Sequence, residues 1–261
     1  MSGERFDVVI VGGGMVGASL ACALAAGGRF ARVALLEGFP LLERSGPAVY
    51  QPSFDARSTA LALSSAQFLE RIGLWAAVRR HAQPIRRIHV SDRGRIGSTV
   101  MDAAEEGLDA LGYVVENQWL GNVLHDGLRA SANLTLLAPA RAEGVRRVAD
   151  GVCVRASLAH GEQTLEIAAG LVVIADGARS GLAAALGIHA GQQDYGQQAL
   201  IANVAHRAPH EGRAFERFTD AGPLAMLPLV DAPDGGARSA LVWVQKPELA
   251  ADAHALPQAE F

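Results

Sequence analysis

The chain has 261 residues, half of them apolar and 19% charged, with a formal net charge of -4 and a pI near 6.1. That length suffices for one large core or two modest ones, in a composition ordinary for a globular protein. The mildly acidic balance argues against a nucleic-acid partner, no apolar run approaches the ~18 residues of a membrane span, and two lone cysteines, Cys22 and Cys153, make no metal or redox spacing.

The N-terminus leads almost at once into a strand, Phe6 to Val11, with no charged segment and apolar stretch of the secretory kind before it. A cytoplasmic protein without a signal peptide is the expectation. Val8, Val9, Ile10 and Val11 form a continuous apolar run, as in a strand covered on both faces of a parallel sheet. Glycines follow, then a helix with Leu20, Ala21, Leu24 and Ala25 at helical spacing, stopped by Gly27 and Gly28. Val33, Ala34, Leu35 and Leu36 make a second buried strand ending at Glu37, so residues 6–37 read as one βαβ unit. Residues 38–57 read as loop, with Pro40, Gly46, Pro47 and Pro52. Ser58 is placed to cap the next helix, with Leu61, Ser65, Phe68, Leu69 and Ile72 on one face and Gly73 ending it.

The basic segment Arg79, Arg80, His81, Arg86 and Arg87 reads as a solvated face, because no amphipathic anchor accompanies it. Residues 85–101 are strand-like with glycine turns. Tyr113 to Gln118 follow, then a helix with Leu120, Val123, Leu124 and Leu128 on one face. Leu134 to Leu137 suggest a buried strand. Residues 143–168 alternate like an antiparallel meander, with Val152, Val154, Ala156 and Leu158 on one side and turns near Asp150-Gly151 and His160-Gly161. Leu171 to Ile174 read as another buried strand, ending at Asp176-Gly177. Beyond about Tyr195 the pattern changes to strands without helices, over 197–205, 213–219, 224–230 and 238–244.

Three segments carry chemistry. Gly12-Gly13-Gly14-Met15-Val16-Gly17 contains G-x-G-x-x-G between a strand and a helix. Gly12 permits the tight turn, Gly14 lets a diphosphate approach the backbone, and Gly17 lets the helix pack close to the strand. Glu37, twenty positions after Gly17 at the end of the next strand, can accept hydrogen bonds from ribose hydroxyls. This pattern does not separate FAD from NAD. Asp55-Ala56-Arg57-Ser58-Thr59-Ala60-Leu61, on its own, reads as the start of a helix with a solvated acid and base. Asp176-Gly177-Ala178-Arg179-Ser180 lies at the end of a buried strand, where open α/β sheets bind ligands, although Asp-Gly is equally common in plain turns. The histidines are scattered, and neither a metal site nor a catalytic nucleophile with its base stands out.

Together these segments resemble the FAD-dependent aromatic hydroxylases of the para-hydroxybenzoate hydroxylase type. Within that group they are most similar to the ubiquinone-biosynthesis hydroxylases, such as 2-octaprenyl-6-methoxyphenol hydroxylase. DARSTALA at 55–62 is the strongest discriminator, followed by YVVEN at 113–117, VVIADGARS at 172–180, and the downstream stretches YGQQALIANV and FERFTDAGPLAMLPL. The resemblance implies an α/β fold: a Rossmann-like FAD-binding domain with a β-meander (residues 1–84 and 102–192), plus a partial antiparallel-sheet substrate domain (85–101 and 193–261). It implies FAD as cofactor, bound by Gly12, Gly14, Val16, Gly17 and Glu37 around the ADP half. Arg57 lies by the flavin, and Asp176 and Gly177 help to hold FAD. A basic or amide side chain after the YVVEN stretch contacts the cofactor; that position is Gln118, where relatives often carry Arg.

The resemblance further implies an aromatic ring hydroxylation using O2 and NAD(P)H or another reduced donor, on a small hydrophobic substrate such as a prenylated ubiquinone precursor. Peripheral contact with the inner face of the membrane, or with a ubiquinone-biosynthesis complex, is compatible with it. Leu200, Ile201, Leu224, Met226, Leu227 and Trp243 suit a prenylated ring and equally suit a plain sheet core. One departure is a Gly-Asp fingerprint followed by Pro, which the family carries beyond the substrate-domain strands and these 261 residues lack. A chain shortened at its C-terminus is the corresponding expectation. Two other readings stand beside the hydroxylase: a non-catalytic dinucleotide-binding remnant, and an NAD-linked dehydrogenase that would leave Arg57 and Asp176 without a task.

Overall fold

The computed structural model describes residues 5–43, 51–158, 163–178 and 180–257. Gly46, Pro47, the His160-Gly161 turn and Arg179 lie outside the described residues. Along the chain come β1 (Arg5–Val11), α1 (Met15–Gly27), β2 (Val33–Leu36), β3 (Ser58–Ala62), α2 (Leu63–Arg71) and α3 (Trp75–Val78). A 3-10 turn at Arg79–His81 leads to β4 (Ala82–Ile85), β5 (Arg87–Asp92), β6 (Ser98–Asp102), β7 (Gly112–Glu116) and α4 (Asn117–Ala130). Then follow β8 (Leu134–Leu137), β9 (Ala140–Val148), β10 (Gly151–Leu158), β11 (Gln163–Ile174) and α5 (Gly181–Ala185). The chain continues with β12 (Gln198–His206), β13 (Arg213–Phe218), β14 (Leu224–Leu229), β15 (Ala237–Gln245) and α6 (Pro247–Ala255). Residues 1–55, 69–77 and 117–191 make one compact unit, and residues 56–68, 78–116 and 192–261 a second.

The first unit is built on a six-stranded sheet in the order β8-β2-β1-β11-β10-β9. β8, β2, β1 and β11 run parallel, while β10 and β9 return antiparallel as a meander. Every residue of β2 is buried, as are Val8 to Val11 of β1, which is why these runs carry no polar alternation. β8 is an edge strand, so Leu134 to Leu137 are half-buried where the sequence suggests full burial. β11 is a single strand of twelve residues where the sequence suggests two. Ala168 pairs with both Cys153 and Arg5, and Ala169 with both Val152 and Phe6. The antiparallel ladder to β10 and the parallel ladder to β1 therefore overlap at Ala168 and Ala169, and the strand runs on without a break. On α1 the buried stripe is Gly17, Ala18, Ala21 and Cys22, small residues that let the helix approach its neighbours, whereas Leu20 and Leu24 are only half-buried. Burial pushes the Cys22 thiol up to about 11, which keeps it protonated and inert.

The second unit holds a six-stranded sheet in the order β12-β15-β14-β13-β5-β6 and a small sheet, β3-β7-β4. The larger sheet is antiparallel except for the parallel pair β5 and β13. Ile85 and Val114 of the small sheet and Ala214, Leu229 and Ala240 of the larger one form a common core cluster. Ser58 to Ala62 are a strand and not the first turn of a helix: they pair with β7 from Ser58 opposite Glu116 to Ala62 opposite Gly112. The Ser58 hydroxyl caps nothing and has no hydrogen-bond partner among the described residues. α2 begins only at Leu63 and ends as anticipated at Gly73, which takes a φ of 77° while the Leu74 N–H reaches back to the Leu69 carbonyl. Among the described residues no helix is long and apolar enough to cross a membrane.

Candidate functional site

The glycine loop sits in the first unit at the C-terminal ends of β2, β1 and β11. The Gly12 N–H donates to the Leu36 carbonyl (2.8 Å), and the Ala175 N–H donates to the Val11 carbonyl (2.7 Å). Gly12 has a φ of 102°, and a Cβ there would lie 2.4 Å from the Ala175 oxygen. The segment leading into Asp176 is thus packed directly on the turn. Gly14 caps α1 without a side chain, and the first turn of α1 carries no acidic residue. Among the described residues no side chain caps that helix start, so its N–H groups and the positive end of the helix dipole suit an anion. Val16, on that turn, is 73% exposed, so the helix start faces solvent. Ser53 closes one side: a Cβ on Gly14 would come within 2.8 Å of its Oγ.

Glu37 closes β2 and is only 7% exposed. Its main chain is held on both sides, by the Leu137 carbonyl (2.9 Å) and the Ala140 N–H (2.7 Å). Its carboxylate accepts from the Gly13 N–H at 2.5 Å through Oε2 and from the Phe39 N–H at 2.9 Å through Oε1. Each oxygen keeps a further lone pair for a hydroxyl donor. The acid thus stands where the sequence places a ribose ligand, and it also fixes the glycine loop, a task the spacing alone did not reveal.

α4 contributes what the sequence reading missed. His125 is fully buried; its Nδ1 accepts from the Leu42 N–H (2.8 Å) and its Nε2 lies 3.2 Å from the Gly13 carbonyl oxygen. Since a backbone N–H can only donate, the ring proton belongs on Nε2, which donates to Gly13. Burial holds the imidazole pKa below its ordinary value, ahead of the smaller effects of neighbouring charges. One turn further on, Arg129 Nη2 donates to the Leu42 carbonyl at 2.5 Å. One turn earlier, Gly121 leaves room for the Phe54 ring, which meets the His125 ring edge-on at 5.1 Å between centroids. Residues 121, 125 and 129 therefore form one stripe that grips the segments at 42 and 54. The available signal was a non-aliphatic residue every fourth position beside the apolar stripe.

The first unit gathers Gly12, Gly14, Val16, Gly17, Glu37, Asp176 and Gly177 around one loop. Asp176 is exposed just after β11, and Gly177 takes a φ of 101°. Gln118 is exposed on the first turn of α4. Beside it the buried Asn117 donates from Nδ2 to Asp55 Oδ1 at 3.5 Å, joining the YVVEN and DARSTALA segments. Arg57 is exposed immediately before β3 and belongs to the second unit.

A glycine cradle, uncapped helix donors and a buried acid with spare acceptor capacity fit the diphosphate and ribose of a dinucleotide. Residues 5–243 match the family described as FAD binding domain. The ubiquinone hydroxylase UbiL of Rhodospirillum rubrum is 39% identical over 255 residues, covering 98% of this chain and 55% of that protein. The 3-demethoxyubiquinol 3-hydroxylase of Escherichia coli is 34% identical over 250 residues, covering 95% of this chain and 59% of that protein. The chain therefore spans little more than half the length of these curated relatives. Among solved structures, PqsL of Pseudomonas aeruginosa superposes with a TM-score of 0.73 at 23% identity, over 95% of this chain and 63% of its own. The loop geometry and the match over nearly the whole chain lead to one conclusion: the chain belongs to the FAD-binding domain family, with FAD as its cofactor.

Proposed function

We propose that this chain supplies the FAD site, and part of the substrate-facing sheet, of a monooxygenase that hydroxylates the aromatic ring of a prenylated ubiquinone precursor. The observation that carries the reading is the glycine loop with its buried acid, in a chain 39% identical to a protein named as a ubiquinone hydroxylase. FAD, when bound, supplies the redox chemistry by which electrons from a donor such as NAD(P)H activate O2. The residues of the chain bind and orient. The first turn of α1 takes the diphosphate, Glu37 takes the ribose, and Asp176 and Gly177 line the loop from β11. Gln118 and Arg57 contact the cofactor further along. Gln118 does so by hydrogen bonds without charge, and Arg57 acts next to the flavin. The strands from β12 to β15 belong to the substrate-facing sheet. The substrate is apolar and aromatic, and peripheral membrane contact fits the source of such a molecule.

The test is to purify the full-length protein and record its visible spectrum, then measure oxygen consumption with NAD(P)H and a prenylated phenol. A yellow protein whose oxygen uptake depends on the phenol and yields a ring-hydroxylated product supports the proposal. A colourless protein that binds NADH overturns it, as does a flavoprotein that leaves the phenol unchanged.

A further inference from the structure

Gly13 is the only member of the glycine loop whose N–H and carbonyl are both held by side chains from other elements, among the described residues. Its N–H ends on Glu37, after β2, and its carbonyl on His125, from α4. In a trans peptide the carbonyl and the following N–H point in opposite directions. A Gly13 carbonyl turned inward to His125 therefore turns the Gly14 N–H away from the protein interior, and no described residue accepts from it. Three consecutive glycines offer almost no steric resistance to rotation of that peptide. Its orientation has to be enforced from outside the loop.

We propose that His125 is a positioning residue for the FAD diphosphate, locking the Gly13 carbonyl inward so that the Gly14 N–H faces the phosphates. The inference rests on reading the glycine loop as the diphosphate site. The lock works in one protonation state. Leu42 presents an N–H to Nδ1, so a second ring proton would set donor against donor. The charges facing the ring are Glu37 from the end of β2, and Asp126 and Arg129 from α4 itself. The two carboxylates favour the protonated ring, whereas Arg129 and burial oppose it, burial being the largest effect. Without the lock the free peptide can present its oxygen to a diphosphate, and the binding energy must then also cover the ordering of the loop.

The experiment compares wild type with His125→Gln and His125→Phe in the full-length protein, titrating FAD by its fluorescence in steps from about pH 8 downward until the wild type unfolds. The Gln amide keeps a donor for the Gly13 carbonyl, whereas Phe keeps the ring shape and loses both hydrogen bonds. His125→Phe is expected to bind FAD about tenfold more weakly, and His125→Gln within about threefold of wild type. Wild-type affinity should fall as pH drops through the lowered native pKa of the ring, while that of His125→Gln stays level. Nitrogen-15 NMR of the wild type should find the ring proton on Nε2. Wild-type affinity in His125→Phe, or a ring proton on Nδ1, overturns the positioning role and leaves the FAD site standing. A wild type that binds no FAD overturns the site reading and this inference with it. If His125→Phe does not fold, the pH series decides: wild-type affinity that falls more steeply on acidification than that of His125→Gln supports the proposal, and parallel profiles down to the acid unfolding of the wild type overturn it.

Discussion

A Cβ on Gly17 would lie 1.8 Å from the carbonyl oxygen of Gly12, so the second turn of the loop and the first turn of α1 share one space. The oxygen cannot retreat, because Gly12 is itself wedged against Ala175 and held at a positive φ. Gly17→Ala should therefore displace helix and loop together. The expected loss is at least about 3 kcal/mol, the range of severe overpacking. Urea denaturation of the purified variant measures it, and loss of bound flavin absorbance should accompany it.

Glu37 anchors the glycine loop and, under the proposed function, also accepts from ribose, and two substitutions remove its acceptors in steps. Glu37→Ala removes the acceptor for Gly13 together with the proposed acceptor for ribose, and FAD binding should weaken by about 1.5–3 kcal/mol, the scale of hydrogen bonds to a charged group. Glu37→Gln retains one acceptor oxygen and should lose less. Equilibrium dialysis against FAD reads the difference. Equal affinity in wild type and Glu37→Ala would remove the acid from the site.

The parts of this fold visible in the sequence are those set by local rules. β1 and β2 announce themselves as unbroken apolar runs, and the spacing from Gly17 to Glu37 places the acid at the strand end before any coordinates are known. What stayed hidden depends on distant partners. Ser58 to Ala62 suit a helix start as well as a strand, and only the ladder with the distant β7, from Ser58 opposite Glu116 to Ala62 opposite Gly112, decides. Ala168-Ala169-Gly170 look like a break between two strands, yet β10 and β1 carry the ladder across them. His125 sits among Leu124 and Leu128 on an amphipathic helix, and nothing local says that its ring bonds a glycine more than a hundred residues earlier. α6, opened by Pro247, lies past the last strand that the alternation pattern could mark.

Two glycines of α4 make opposite predictions. A Cβ on Gly121 would come within 2.3 Å of the Phe54 ring near its root, and that ring is buried. Alanine gains about 1 kcal/mol of helix propensity, but overpacking of about 1–3 kcal/mol exceeds it, so Gly121→Ala should be destabilising. At Gly127 the nearest atom is the end of the Leu74 side chain at 3.0 Å, which can rotate aside. Gly127→Ala should leave stability near the wild-type value. Parallel thermal melts distinguish the pair.

In the second unit Arg238 holds Glu116 with Nη1 and Nη2, at 3.2 and 3.4 Å, and donates from Nε to the Val230 carbonyl at 3.0 Å. The two side chains are 24% and 35% exposed, so solvent screens the pair less than a surface ion pair. Arg238→Ala should cost about 1–2 kcal/mol by chemical denaturation. Arg238→Lys should recover little of it, because one ammonium cannot span both carboxylate oxygens and the carbonyl.

The buried imidazole also makes the stability of the chain depend on pH. Its native pKa lies below the ordinary 6.5, and burial is the main cause. In the denatured chain the group titrates near that ordinary value, so between the two values the denatured chain binds more protons. Stability then rises with pH across that window. The contribution of His125 is complete above about 6.5 and is lost as pH falls through the lower native value. A scan of melting temperature from about pH 7.5 to about pH 5 should show a steeper decline in wild type than in His125→Phe. Parallel profiles would mean that the ring takes up its proton alike in the folded and denatured chains, and that the Leu42 and Gly13 bonds do not hold it neutral.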